Sequence, residues 1–179
     1  MGEYPQGSVE DREMISALPR EKLLDYFFLQ IRNLWRVDGL YFLGIEKRFG
    51  TEAAAEIDAA VWETMAGVEA RSLQRTFNVS GNADLETIMG LLRKSSWALD
   101  QPFKTVEVSK SRVVFGVDKC RTQETRLGKS LSEFPCKKVR FGYLKAFAVT
   151  LNPNVEVKCL VCPPDAHPKD SWCQWEFKL

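Results

Sequence analysis

Five cysteines and a single histidine are the residues of widest chemical reach in this 179-residue chain. Cys159, Cys162, His167 and Cys173 all fall in the C-terminal stretch "VKCLVCPPDAHPKDSWCQWEF". Thiolate sulfur and imidazole nitrogen are the ligands tetrahedral zinc prefers, so zinc held by these four residues is the expected cofactor. The order Cys-x2-Cys-x4-His-x5-Cys comes within one residue of a zinc knuckle, a module that presents single-stranded bases to aromatic side chains. Both arms of the motif, however, alternate like strands of a larger domain, and cysteines on strands also serve as small apolar core residues. Cys159 and Cys162 stand three apart and so face opposite sides of a regular strand. They can share one metal only if the strand ends or bulges there, which Pro163-Pro164 would allow.

Cys120 and Cys136 flank "CRTQETRLGKSLSEFPC" and are the candidate nucleophiles. A reactive thiol needs nearby cations or a helix N-terminus to lower its pKa. Arg121, Lys137 and Lys138 supply such charge and form, with Trp175, the candidate ligand-binding set; on the last strand Cys173, Trp175 and Phe177 share a face. His167 is the one imidazole available as a general base, and it lies in a Pro-flanked loop. Asp38, Glu46, Asp58 and Glu69 sit beside apolar helix stripes, where ion pairing is the plainer reading.

The elements that must position these groups divide near residue 101. Residues 1–18 read as a flexible arm. From Pro19 a helical apolar spacing begins, interrupted at Asp38-Gly39 and closed by Gly50. Thr51 opens a further helix with Ile57, Val61, Met65 and Val68 on one stripe, and Asp84 or Asn82 opens another. Beyond residue 101 the order is strand, strand, helix, helix, strand, strand. The fold class is therefore α+β, a helical N-terminal half (19–100) packed on a C-terminal antiparallel sheet with two short helices (101–179), together one structural domain.

Residues 1–100 carry 11 Lys and Arg against 16 Asp and Glu, and residues 101–179 carry 14 against 8, so an anionic small molecule is the expected ligand of the second half. No apolar run is long enough for a membrane span, and the first residues lack the apolar core of a secretory signal, which points to a cytoplasmic protein without membrane contact. Nucleic acid is a less favoured partner than a small ligand. The long apolar helices point to a homodimer.

With "DKCRTQETRLGKS", "FPC", "NPNVEVKCLVCPPD" and "SWCQWEFKL" in view, about the last 65 residues resemble the L-2-amino-thiazoline-4-carboxylic acid hydrolase-like family. They are also similar to 4-vinyl-reductase-type small-molecule-binding domains, where cysteines near this hairpin can hold zinc. The whole chain resembles a group of uncharacterised small cytosolic proteins of anaerobic prokaryotes. The resemblance implies small-molecule binding, with zinc at the C-terminal cysteines. Its alternatives are hydrolysis of a cyclic C–N bond in a small carboxylate, using Cys136 or a metal-bound water, and a nucleic-acid or protein interaction module. Lys137-Lys138 replace an Asp of the hydrolase pattern, and "PPDAHPKD" replaces its glycine-rich turn.

Overall fold

A computed structural model describes residues 7–179. Residues 1–6 of the expected arm lie outside the described residues. Within the remainder of it, Val9–Ser16 forms helix α1, whose N-cap Ser8 accepts a hydrogen bond from the Asp11 amide. Helix α2 then spans Arg20–Thr76 and is broken once, at Gly50.

The break expected at Asp38-Gly39 does not occur. A glycine inside a helix weakens it by about 1 kcal/mol without ending it, since the backbone hydrogen bonds remain available. Gly50 differs because its φ is +86°, which bulkier residues rarely adopt. The turn there folds α2 back on itself. Trp35 and Trp62 would stand about 40 Å apart along a straight helix; here their rings stack at 4.5 Å. Trp62 Nε1 donates to Asp38 Oδ1 at 2.8 Å, tying the first arm (20–49) to the second (51–76).

Along the second arm the expected stripe of Ile57, Val61, Met65 and Val68 exists, and it faces solvent. The buried face carries Ala54, Ala55, Ala66, Gly67 and Ala70, with Asp58 and Trp62 between them. These small residues let the arm lie close against helix α6 (Cys136–Leu151), the most extensive packing between elements in the chain. The larger apolar residues are left on the outer face.

Shorter helices follow: α3 (Leu85–Leu92), capped by Asp84 accepting from the Thr87 amide, α4 (Ser96–Leu99) and α5 (Arg121–Leu127). Helix α6 begins at Cys136, immediately after Pro135 and a turn earlier than its apolar spacing alone indicates. Strands β1 (Phe103–Val108), β2 (Arg112–Lys119), β3 (Glu156–Val161) and β4 (Cys173–Lys178) form one antiparallel sheet in the order β1-β2-β4-β3. Val113, Phe115 and Val117 pair with Phe177, Trp175 and Cys173, building one buried apolar face. On the opposite face Glu176 takes hydrogen bonds from Arg112 and ion-pairs with Lys178. Helix α6 packs on both β3 and α2, which explains why Val139, Tyr143, Leu144 and Phe147 are all fully buried. The α+β architecture is the one the sequence indicates.

Candidate functional site

Four parts of the chain converge on a cavity of about 330 Å³: the first arm of α2, α4 with the residues just after it, helix α5 with the segment after it, and the start of α6. Its apolar wall is made by Trp35, Phe42, Leu43, Trp97, Leu131 and Phe134. The size lies within the usual range of small-molecule pockets, which are mostly apolar with a few placed polar groups.

Those polar groups fall into two sets. One set is already paired. Arg126 donates two bonds to Glu46, at 2.8 and 3.0 Å, and Arg32 bridges Asp100 at 3.1 Å. The other set is buried with some polar atoms unpaired. Arg140 is 4% exposed, and neither Nε nor Nη1 has an acceptor; Gln101 is 2% exposed, and its Oε1 has no donor. The Arg140 guanidinium carbon lies 5.3–5.4 Å from the ring centres of Trp35, Trp62, Trp97 and Tyr143. Aromatic faces attract a cation but accept few of its five N–H bonds. Tyr143 is itself anchored, since its hydroxyl donates to Glu69 Oε2 at 2.8 Å while Glu69 Oε1 accepts the Ser96 amide at 2.6 Å.

Two carboxyls sit behind Arg140. Burial, and then the charge of Asp38 beside it, push Asp58 up to about 7 despite the guanidinium. Asp38 is also raised by burial, against hydrogen bonding from Trp62 and the charge of Arg140. The two carboxyls thus differ: Asp38, held by Trp62 and Arg140, carries the charge that helps raise Asp58. Burial likewise lifts Asp100 to about 6, the nearby Arg32 notwithstanding.

Cys120, Arg121 and Cys136 do line this cavity, with Cys120 capping α5 and Cys136 beginning α6. Cys120 is a poor nucleophile there, because burial and the neighbouring Cys136 push its thiol up to about 12. Lys137 and Lys138 do not line it. The first ion-pairs with Asp165 at 2.5 Å; the second pairs with Glu52, and with Glu56 at 3.2 Å, on the outside of the α2–α6 seam. Trp175 is fully buried in the sheet core and meets Phe141 at 6.4 Å rather than any ligand space.

The thiols divide in a way the local spacing does not show. Strand β3 bulges between Cys159 and Val161 and ends there, so the alternation that would separate Cys159 from Cys162 is lost. Cys162 is fully buried and interacts with the sulfurs of Cys136, Cys159 and Cys173. Contact with Cys136 first, then with Cys159, drives the Cys162 thiol far up, while the same contacts lower Cys136 and Cys159. His167 stands elsewhere: its ring bonds to the Pro168 carbonyl at 2.9 Å, reaches Glu133 at 3.4 Å and packs on Trp172. Among the described residues, no three His, Cys, Asp or Glu side chains already stand at metal-holding spacing.

In the sequence Gln101 draws no notice, and Arg140 counts only among the basic residues of the second half. The signal for Arg140 was present, since it follows Cys136 by four residues and precedes Tyr143 by three on an otherwise apolar helix face.

Comparison with known proteins gives a family and a fold. A model of a family of unknown function, DUF6125, matches residues 16–179. The chain belongs to that family. No curated protein matches. Among solved structures, the phenol-responsive sensory domain of the transcription activator PoxR, crystallised with phenol, is similar in fold. Its TM-score is 0.51 at 16% identity, covering 78% of this chain and 71% of that one. The hydrolase-like resemblance finds no support in these matches. No helix among the described residues is long and apolar enough to cross a membrane.

The buried carboxyl pair yields a pH prediction. Because the folded-state values of Asp58 and Asp38 are raised, their stabilising protonation is complete below about pH 4 and is lost as pH rises toward 7. Asp58→Asn should therefore flatten the fall in stability across that window, by about 1–3 kcal/mol relative to the parent. Urea unfolding of both proteins at several pH values reads this directly, and parallel curves would show that the pair ionises normally.

Proposed function

We propose that this protein is a ligand-binding module that takes a small aromatic molecule into the cavity between α2, α5 and α6. The observation that carries the reading is the cavity itself: an apolar, tryptophan-walled space of about 330 Å³ with buried polar groups left over inside it. The fold likeness to a phenol-responsive sensory domain supports the same reading. The basic residues of the second half do not favour the nucleic-acid alternative, since Arg126, Lys137 and Lys138 are committed to carboxylates and Arg140 is buried.

Zinc remains a proposal, on a different set of ligands from the one the C-terminal motif indicates. Cys136, Cys159 and Cys173 gather about Cys162, and four thiols are a donor set that suits tetrahedral zinc. The metal would pin the start of α6 to β3 and β4, beside the cavity wall that Cys136 forms. His167, held by Pro168 and Glu133, takes no part.

Titration calorimetry with phenol, benzyl alcohol and benzoate tests the cavity. At least one should bind saturably to the parent protein, and none to Gly39→Phe, which places a ring where Gly39 now leaves open space. If no aromatic probe binds, the reading fails. Elemental analysis of protein purified without chelator tests the metal. One equivalent of zinc, lost in Cys162→Ser, is expected; five titratable thiols with no zinc would remove the proposal.

A further inference from the structure

We infer that the cavity's ligand is a planar aromatic carboxylate, bound through Arg140 at the base of the tryptophan cage. This deepens the small-molecule reading above and rests on it. The argument begins with an imbalance. A buried guanidinium is ordinarily retained where its N–H groups meet carboxylates or carbonyls, because an unpaired buried charge is strongly destabilising. Arg140 instead has its Nε and Nη1 buried and empty-handed, with four aromatic faces around its plane. Its neighbours fill the gap only in part: it touches the Cys136 sulfur, and Asp58 and Asp38 lie close enough to feel its charge, yet neither accepts a bond from Nε or Nη1.

A carboxylate supplies what is missing. Nε and Nη1 lie on opposite edges of the guanidinium, so a carboxylate oxygen gives one of them a charge-assisted acceptor, and bonds of this kind are roughly twice as strong as neutral ones. The walls favour a flat, apolar body: Trp35 and Trp97 line both the cage and the cavity, with Phe42 and Phe134 further out. Gln101 Oε1 adds a buried acceptor, suited to a hydroxyl or amino substituent on the ring. The electrostatics agree, because six cationic side chains line the cavity against two carboxylates, Asp38 and Asp100. Arg36, Arg121 and Lys129 belong to that lining and would draw an anion inward.

The test compares benzoate with benzamide, its neutral isostere, on the intact protein by calorimetry. Benzoate should bind roughly tenfold or more tightly, as a charge-assisted pair requires. Arg140→Met, checked for fold by circular dichroism, should erase that preference while still admitting benzyl alcohol. If benzamide and benzyl alcohol bind as well as benzoate, the anion subsite is overturned while the cavity reading survives. If none of the three binds, both fail. The parent protein's preference decides the matter even if the variant does not fold.

A separate observation leads to a second proposal: the outer faces of α2 are covered by a second copy of this chain. Every residue from Ser16 to Gln30 is exposed, although the segment carries apolar groups all round, among them Leu23, Leu24, Tyr26, Phe27, Phe28 and Leu29. A helix apolar around its circumference is normally a buried one. The stripe Ile57, Val61, Met65 and Val68 is also bare. Ten such side chains, each about half uncovered, at roughly 80 Å² apiece, give about 800 Å² per copy, the amount each partner contributes to a standard stable interface.

Charge favours self-association over a foreign partner. Residues 8–30 carry Glu10, Asp11, Glu13, Glu21 and Asp25 against three cations. The apolar groove formed by Leu40, Tyr41, Gly44, Ile45 and Phe49 carries Arg48 in its lining and lies beside Arg36 and Lys47. The acidic excess lies in α1, where Glu10, Asp11 and Glu13 stand against Arg12, so a two-fold arrangement would set each copy's joined α1–α2 start on the other's basic-edged groove. Sedimentation of the full chain at tens of micromolar should give twice the 20.4 kDa chain mass. Phe27→Asp should halve it with helicity unchanged. A monomeric parent protein, or a dimer that survives both Phe27→Asp and Val61→Asp, would overturn the proposal.

Discussion

The close approach of α2's second arm to α6 is the contact on which the rest of the molecule depends. Ala54, Ala55, Ala66, Gly67 and Ala70 present almost no side chain, so two helix backbones can lie together with Trp62 and Tyr143 meeting edge to face at the cavity end. A Cβ on Gly142 of α6 would already come within 3.3 Å of the Glu63 carboxylate of α2. Helix α6 is thereby held between α2 and the sheet, and its inward-facing residues lose contact with water whether or not they are apolar. Arg140 is buried for that reason. Its position is set by the helix turn it occupies, and the aromatic groups around it arrive from α2, α4 and α6 itself.

The kink at Gly50 has a comparable reach. By reversing the chain it brings Trp35 onto Trp62 and Asp38 onto Trp62 Nε1, so that two distant stretches of one helix become facing walls. Glu46, four residues before the kink, then meets Arg126 from α5 and closes one side of the cavity with a nearly buried, bidentate pair. Burying charge in this way is costly unless both partners are satisfied. That requirement is met for Glu46 and Arg126 and is not met for Nε and Nη1 of Arg140. The thiols form a second centre on the far side of Cys136, where a bulge in β3 cancels the alternation of a regular strand.

Much of the architecture was legible from the chain. The α+β division near residue 101, the β1–β2 hairpin, the cap at Asp84 and the faces of β4 all follow from local chemistry: periodicity, turn residues and capping oxygens act over a few residues. So did the placing of Cys120 and Cys136 at element boundaries. The exceptions share one cause. Asp38-Gly39 looked like a break because propensity was read without the tertiary contacts that hold that turn helical. The Ile57 stripe drew notice because large apolar residues dominate a periodicity, whereas close helix packing selects small ones.

Sequence alone therefore determined which segments are helix or strand, where they end, and which residue types sit near their ends, because those properties arise from neighbours along the chain. Tertiary structure decided which cysteines meet, that His167 stands apart from them, that Lys137 and Lys138 pair with carboxylates at the surface, and that Arg140 and Gln101 are buried with polar atoms unpaired. Each of these is a relation between groups brought together only when α2 folds back at Gly50 and α6 is enclosed, and no local pattern encodes a distance between residues that far apart.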